Sequence, residues 1–167
     1  MGNIAASMLG ELEHEAVSTR KYLEAIPDEK LDWQPHAKSM TLRQLAAHVA
    51  EIPGWTKETM TLEVMDFASG DYKPTVIAGK ADALKVLEEG MAAARSILGK
   101  AGDHDFFVTW TMKSGDHVHL SMPRIAVMRG FILNHLVHHR AQLGVYLRLL
   151  DVPVPSAYGP TADFPNF

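Results

Sequence analysis

Four of the nine histidines have the spacing of a metal site on two helices. His135, His138 and His139 lie within the apolar stretch 134–143, and His48 lies on the apolar face of a predicted helix far earlier in the chain. On a helix, residues four apart are offset by about 40° and rise about 6 Å, so His135 and His139 can reach one ion. Across a bundle, His48 can supply a third nitrogen. Three imidazoles suit zinc, nickel, copper or iron, and they leave one or more coordination positions open.

Two alternatives to this ligand set remain open in the sequence. His135 and His138 are three residues apart, which also suits one ion, so His138 competes with His139. The pair His117 and His119 shares one face of a predicted strand and forms a rival site without a third histidine nearby in sequence. All of these histidines could instead be core or boundary residues without a ligand.

A metal enzyme would need further groups, and the sequence offers weak candidates for them. Glu51 lies one turn after His48 and is the nearest candidate for a general base. Tyr158, in the C-terminal tail, could overhang the site. Arg140 and Arg148 could bind an anionic group of a substrate.

Hydrophobic periodicity indicates the elements that would position these residues. Apolar residues recur at helical steps of three and four in four segments, about 3–26, 41–67, 80–98 and 123–150. Between the third and fourth helices, residues 107–112 alternate in polarity, which predicts a short hairpin or extended insert. The proline-rich tail, 151–167, is expected to lie extended on the helices. The predicted fold class is therefore all-α, a four-helix bundle with a short extended or hairpin insert.

Local signals set the ends of the second and fourth helices. Thr41 and Gln44 have the spacing of a capping box, and Pro53-Gly54 is expected to kink or interrupt the helix that follows. Ser121 is the predicted N-cap of the last helix, with Pro123 in its first turn.

Composition excludes several classes of function. A net charge of −4 gives no reason to expect nucleic acid as a partner. The absence of cysteine excludes disulfides, thiolate nucleophiles and sulfur-bound metal. No apolar run approaches membrane-spanning length, and the N-terminus has no signal-peptide pattern, so we expect a cytoplasmic protein without a membrane partner.

Several segments together resemble the DinB/YfiT-like superfamily. They are Leu31-Asp32-Trp33-Gln34-Pro35, Leu45-Ala46-Ala47-His48, the stretch from Asn134 to Leu143, Tyr146-Leu147-Arg148 and the tail from Val154 to Pro160. The resemblance implies one domain over 1–167, a four-helix bundle that is commonly dimeric, and a divalent metal held by His48, His135 and His139. Many relatives have glycine where this chain has Ala141, which does not affect the ligands.

The resemblance leaves the reaction open, because members of one fold differ in chemistry. It implies a metal-dependent enzyme, either a hydrolase or a transferase that uses a low-molecular-weight thiol, acting on a small-molecule substrate. The alternative is a metal-binding, stress-related dimeric bundle without enzymatic activity. Zinc or nickel is the metal we expect first, ahead of iron or copper.

Overall fold

Helices form most of the chain, in the order that the periodicity predicts. The computed structural model describes residues 1–70 and 72–166. Its helices are α1 (Asn3–Glu24), α2 (Leu42–Glu51), α3 (Thr56–Thr61), α4 (Lys80–Leu98), α5 (Arg124–Ala126) and α6 (His135–Leu149). A 3₁₀ turn, Ile52–Trp55, joins α2 to α3, and a π-helical segment, Val127–Asn134, joins α5 to α6. With α1 and α4, these two joined units form a four-helix bundle.

A capping box fixes the start of α2, as predicted. The Thr41 hydroxyl accepts a hydrogen bond from the Gln44 N–H at 3.2 Å, and the Gln44 side-chain oxygen accepts one from the Thr41 N–H at 2.9 Å. This start sets the rotation of the helix, and Leu45 and Val49 are therefore buried. His48 lies at the edge of the same buried face.

The bundle shares one apolar core to which all four helical units contribute. Leu12 of α1, Leu45 of α2, Leu87 of α4 and Leu136 of α6 all belong to it and are at most 1% exposed. Burial of such side chains contributes about 1.5–3 kcal/mol each. The core therefore holds α2 against α6, which is the pairing that a site on His48 and His135 requires.

Two glycines bring α4 close to the turn that follows α2. A Cβ added to Gly90 of α4 would lie 2.9 Å from the backbone nitrogen of Gly54 and 3.2 Å from its Cα. These atoms belong to the backbone and cannot swing aside, so the contact excludes any side chain at Gly90. The missing side chain explains a glycine in the middle of a helix, where it ordinarily costs stability.

We expect Gly90→Ala to destabilise the fold by about 1–3 kcal/mol, because it overpacks this contact. Gly10, on the exposed side of α1, has nothing within 4 Å of an added Cβ, so Gly10→Ala serves as the matched control. The control should stabilise the fold by about 0.5–1 kcal/mol. Urea unfolding of both variants measures the two changes, and a stabilising Gly90→Ala would contradict the close approach.

The predicted hairpin is present and belongs to a three-stranded sheet. Strands β2 (Thr109–Ser114) and β3 (His117–Pro123) are antiparallel, and β1 (Val64–Asp66) adds to β2 in parallel, which gives the order β1-β2-β3. The turn between β2 and β3 contains Gly115 with φ +58°, a conformation that favours glycine. The fold is thus a bundle with a small sheet rather than all-α.

The helix predicted over 41–67 ends earlier, at Thr61. Residues Val64–Asp66 form β1 instead, and the Asp66 carboxylate accepts hydrogen bonds from the N–H groups of Ala68 and Gly115, both at 2.9 Å. The strand β2 that recruits this segment lies more than forty residues later in the chain. Pairing between distant segments therefore overrides the local apolar spacing.

The start predicted for the last helix is also wrong. Ser121 lies in β3, where its hydroxyl bonds to that of Thr111 at 2.9 Å, and Pro123 still pairs with Thr109. The helix begins at Arg124 without a side-chain cap. The strand extends to Pro123 because β2 offers it partners along this length. The remaining predicted helix ends agree with the structure to within two residues, and those at Asn3, Lys80 and Leu98 agree fully.

The tail after α6 has no regular secondary structure and lies on the bundle. Asp163 forms an ion pair with Arg148 of α6 and accepts a hydrogen bond from the Val154 N–H at 2.9 Å. These contacts agree with the extended tail that the prolines predict. Within the described residues, no helix has the length and apolar character needed to cross a membrane.

Candidate metal centre

Three histidines from two helices meet at one side of the bundle. His48 lies on α2, and His135 and His139 lie one turn apart at the start of α6. The Nε2 atoms of His48 and His135 are 3.3 Å apart, and the ring centroids of His48 and His139 are 4.6 Å apart. One donor atom from each ring lies within 4.8 Å of the others, close enough for one ion. Among residues 1–70 and 72–166, no other group of three histidine or acidic side chains has this geometry.

The outer nitrogen of each ring is held by an oxygen acceptor. His48 Nδ1 lies 3.1 Å from Glu51 Oε1, His135 Nδ1 lies 3.2 Å from the Phe131 carbonyl, and His139 Nδ1 lies 2.8 Å from Gln142 Oε1. Since these oxygens can only accept, each Nδ1 carries the proton and each Nε2 keeps its lone pair. Such contacts set the tautomer and orientation of metal-binding histidines.

The donor set fits a divalent metal. Two Nε2 lone pairs 3.3 Å apart cannot hydrogen-bond to each other, so they repel unless a cation or a proton lies between them. Burial, followed by the neighbouring His139 and His48, lowers the pKa of His135 to about 4, and burial also lowers the pKa of His139. At neutral pH these two rings are therefore neutral, with one nitrogen free to bind metal.

The π-helical segment supplies the acceptor that orients His135. Within Val127–Asn134, N–H groups bond to carbonyls five residues back, whereas α6 returns to the ordinary spacing of four. The Phe131 carbonyl lies in this segment and accepts a hydrogen bond from the His135 imidazole. Sequence reasoning missed this feature, because apolar periodicity carries no signal for one π-helical stretch.

Aromatic side chains pack against the imidazoles of His48 and His135. The Trp55 ring lies 5.4 Å from the His48 ring and 5.5 Å from the His135 ring, measured between centroids. Phe131 stacks on Trp55 at 5.3 Å with an interplanar angle of 20°. Because Trp55 belongs to the 3₁₀ turn at Pro53-Gly54, the interruption of the helix places this ring against the site. The sequence predicted the interruption but not the contact between Trp55 and the histidines.

Glu51 lies at the site and is already engaged by protein groups. Its Oε1 accepts from His48 and, at 3.3 Å, from the Tyr72 hydroxyl, and its Oε2 accepts from the Thr75 N–H at 3.3 Å. Burial raises the pKa of Glu51, but hydrogen bonds from His48 and Thr75 outweigh it and the net shift is downward. A carboxylate with these contacts is suited to orienting His48 rather than to the general-base role predicted from the sequence.

We expect Glu51→Ala to weaken metal binding by about 10–100-fold, the range typical of partners that orient a ligand. Glu58→Ala is the matched control, because Glu58 lines the same cleft as Glu51 and has no contact with a histidine among the described residues. Competition titration with a chromophoric chelator measures both affinities. Equal affinities in the two variants would show that the carboxylate does not support His48.

The rival histidines lie elsewhere. His138 is exposed, and its Nε2 accepts a hydrogen bond from the Gln142 amide at 3.0 Å, so His138 is next to the cluster but outside it. His117 and His119 do share a face of β3, with centroids 4.8 Å apart, and both are exposed. His119 is bonded to the Ser114 hydroxyl at 2.8 Å. The structure therefore brings together the set with His139 rather than the set with His138.

The remaining candidates bind protein groups at a different place. The Tyr158 hydroxyl contacts Glu15 Oε2 and Arg140 Nη2, each at 2.7 Å, so it anchors the tail rather than overhanging the histidines. Arg140 is 2% exposed and pairs with Glu15 at 2.6 Å, and Arg148 pairs with Asp163. Both arginines are thus paired with carboxylates of the chain.

The cluster borders two clefts. His48 and His135 line a cleft of about 960 Å³ that runs between α3, the sheet and the segment that follows β1. His139 lines a second cleft of about 390 Å³ together with Ser39, Gln142 and Tyr146. A ligand can therefore approach the histidines from the larger cleft, and the smaller cleft offers a second approach.

Comparison with known proteins establishes the family. The sequence model of the DinB family matches residues 1–166, so the chain belongs to the DinB family. It is similar to YrdA of Bacillus subtilis strain 168, an uncharacterized protein, with 25% identity over 151 residues that cover 90% of this chain and 86% of YrdA. The predicted resemblance to the DinB/YfiT-like superfamily is thereby confirmed.

Solved structures show the same fold. A DinB-like protein from Bacillus cereus ATCC 10987 superposes with a TM-score of 0.70 at 22% identity, covering 90% of this chain and 95% of that one. YfiT from Bacillus subtilis superposes with a TM-score of 0.63 at 19% identity, covering 88% and 87%. YfiT is described as a probable metal-dependent hydrolase with an unusual four-helix bundle topology. These likenesses confirm the four-helix bundle, to which the three-stranded sheet is added.

Proposed function

We infer that this protein is a metal-dependent hydrolase whose divalent ion is held by His48, His135 and His139. The observation that carries the inference is the convergence of three imidazoles whose Nδ1 atoms are each held by an acceptor. The description of YfiT as a probable metal-dependent hydrolase supports the same class. Three neutral nitrogen ligands suit zinc or nickel first, and iron or copper also fit.

The arrangement favours a catalytic rather than a closed structural site. Among the described residues, no fourth side chain joins the three histidines, and the large cleft leads to two of them. A divalent ion at such a site supplies Lewis-acid chemistry, which polarises a carbonyl and makes a water or thiol easier to deprotonate. A structural site would instead be closed by four protein ligands.

The surrounding residues bind and orient rather than exchange protons. Glu51 holds the Nδ1 proton of His48 in place. Burial, with the nearby Glu51 carboxylate, raises the pKa of Tyr72 to about 12, so the Tyr72 hydroxyl keeps its proton and acts as a hydrogen-bond donor at the cleft. Trp55 and Phe131 pack against the His135 imidazole and also line the cleft.

Transfer from a low-molecular-weight thiol is the second candidate, and the smaller cleft favours it. A two-substrate reaction needs two approaches to the ion, and His139 borders a cleft separate from the one that His48 and His135 line. The Ser39 and Gln142 side chains could bind the polar groups of a thiol there. A metal-binding, stress-related bundle without enzymatic activity is the third candidate, and it does not explain why the histidines border two clefts.

Turnover by the metal-loaded protein tests this inference. The zinc and nickel forms are assayed against a panel of simple esters and amides, and separately for transfer of small thiols to an electrophile. We expect hydrolysis in the wild type and in His138→Ala, and none in His139→Ala. Thiol transfer without hydrolysis would favour the second candidate. No turnover in either panel, with the metal bound, would favour the third.

The predicted homodimer and the cytoplasmic location stay predictions of the sequence. Light scattering distinguishes the 18.4 kDa chain from its dimer.

A further inference from the structure

The larger cleft has an aromatic wall next to the histidines. Trp55 stacks on Phe131, and Trp110, which is only 1% exposed, packs beside Phe131 with ring centroids 6.2 Å apart. Phe67 and Tyr72 form a second aromatic pair on the cleft, 5.3 Å apart and edge to face. Flat rings at these spacings offer faces and edges to a ligand that itself carries a ring.

Aliphatic side chains at the cleft are left open to solvent. Leu62 is 43% exposed and Val64 is 48% exposed, and both line this cleft. Exposed apolar side chains gathered in a concave surface are typical of a ligand site, whereas scattered ones need no explanation. A volume of about 960 Å³ is at the upper end of the range for small-molecule sites.

The side-chain charges on the cleft, apart from the proposed ion, disfavour an anionic ligand. Its described lining contains three carboxylates, on Glu51, Glu58 and Asp66, and one amine, on Lys73. Asp66 is paired with Lys113 at 3.4 Å, and Glu51 is engaged with His48. No arginine lines the described part of the cleft, so the two-pronged donor that commonly binds a carboxylate or phosphate is missing there.

We propose that this cleft binds an uncharged, largely apolar substrate that carries an aromatic ring. The ring lies beside Trp55 and Phe131, and the reacting group points to the edge formed by His48 and His135. The proposal rests on the proposed metal-dependent function for the identity of the reacting edge. The walls of the cleft, and hence the class of ligand, do not depend on the metal.

A pair of fluorescent probes that differ by one charge tests this class. N-phenylnaphthylamine is neutral, and anilinonaphthalene sulfonate adds a sulfonate to the same ring system. We expect the metal-free protein, prepared with a chelator, to bind the neutral probe at least about tenfold more tightly, because the carboxylates of the cleft repel the sulfonate. Tighter or equal binding of the sulfonate would overturn the proposal.

Matched variants locate the probe. Leu62→Ser should weaken binding of the neutral probe by about threefold to tenfold, whereas Leu149→Ser, at an exposed leucine of α6 outside the cleft, should not. Glu58→Gln should improve binding of the sulfonate, whereas Glu63→Gln, which lies outside the cleft lining, should not. If a variant in the cleft and its control outside the cleft change probe binding equally, the probe binds elsewhere and the proposal is contradicted.

The same samples separate this proposal from the proposed function. Metal content after loading with zinc is measured by plasma mass spectrometry, and probe binding is repeated with the loaded sample. If the protein holds no zinc after loading but still prefers the neutral probe, the metal site is refuted and the ligand class stands. A full complement of zinc with no preference for the neutral probe would do the reverse.

Discussion

Replacing His139 with alanine is expected to remove the bound metal. Wild-type protein loaded with zinc should hold about one ion per chain, and His139→Ala should hold almost none after dialysis. The reason is that two imidazoles on different helices remain, and losing a ligand costs more than the 10–100-fold typical of losing an orienting partner. Plasma mass spectrometry gives the stoichiometry directly.

His138→Ala is the matched control for this experiment. His138 is the adjacent residue, it is exposed, and its ring contacts Gln142 and the outer side of the His139 ring without belonging to the three-histidine cluster. This variant should keep its zinc. Loading should also raise the thermal midpoint of the wild type and of His138→Ala, since a ligand that binds only the folded state stabilises it. Unchanged metal content in His139→Ala would contradict the ligand assignment.

Breaking the buried ion pair behind the site is expected to have the largest effect on stability. Arg140, next to His139 in the chain, points into the bundle, where it meets Glu15 Oε2 at 2.6 Å and the Glu15 carbonyl at 3.0 Å. It also donates to Thr19 and to the Tyr158 hydroxyl. Because Arg140 is 2% exposed, Glu15→Leu would leave a buried charge without its partner, at a cost of about 3–5 kcal/mol.

Two comparisons show whether burial is the cause. The double variant Glu15→Leu/Arg140→Met removes both charges and should recover most of the loss, because an apolar pair of similar volume commonly replaces a buried ion pair. Glu13→Leu breaks the exposed pair between Glu13 and Arg95 and should cost at most about 1 kcal/mol. Urea unfolding measures all three variants. A double variant as unstable as Glu15→Leu would assign the loss to packing rather than to charge.

The ion pair also links the tail to the metal centre. Tyr158 bonds to both members of the pair, and Arg140 ties α6 to α1 through Glu15. Loss of Arg140 would therefore remove one anchor of the tail and one tie of the helix that presents His135 and His139.

Features encoded within a few residues of sequence were predicted well. The capping box of Thr41 and Gln44 depends on atoms three residues apart, and the pairing of His135 with His139 depends on one turn of helix. His48 was singled out because a polar side chain on the apolar face of a helix needs a hydrogen-bonding or metal partner. The spacing alone left His138 and His139 as alternatives, and the structure separates them by the direction of each ring.

Features that depend on distant partners could not be predicted in the same way. Val64–Asp66 forms a strand because β2 lies beside it. Ser121 belongs to β3 rather than to the helix start because it pairs with Thr111. Tyr158 and Arg140 meet Glu15, which lies more than 120 residues earlier in the chain. The π-helical segment that contains the Phe131 carbonyl, the acceptor for His135, has no sequence signature of its own.

Anomalous diffraction from crystals of the zinc-loaded protein tests the central claim most directly. We expect one strong peak per chain, about 2.0–2.1 Å from the Nε2 atoms of His48, His135 and His139, with the open coordination position facing the large cleft. A peak at His117 and His119, or at His138 in place of His139, would contradict it.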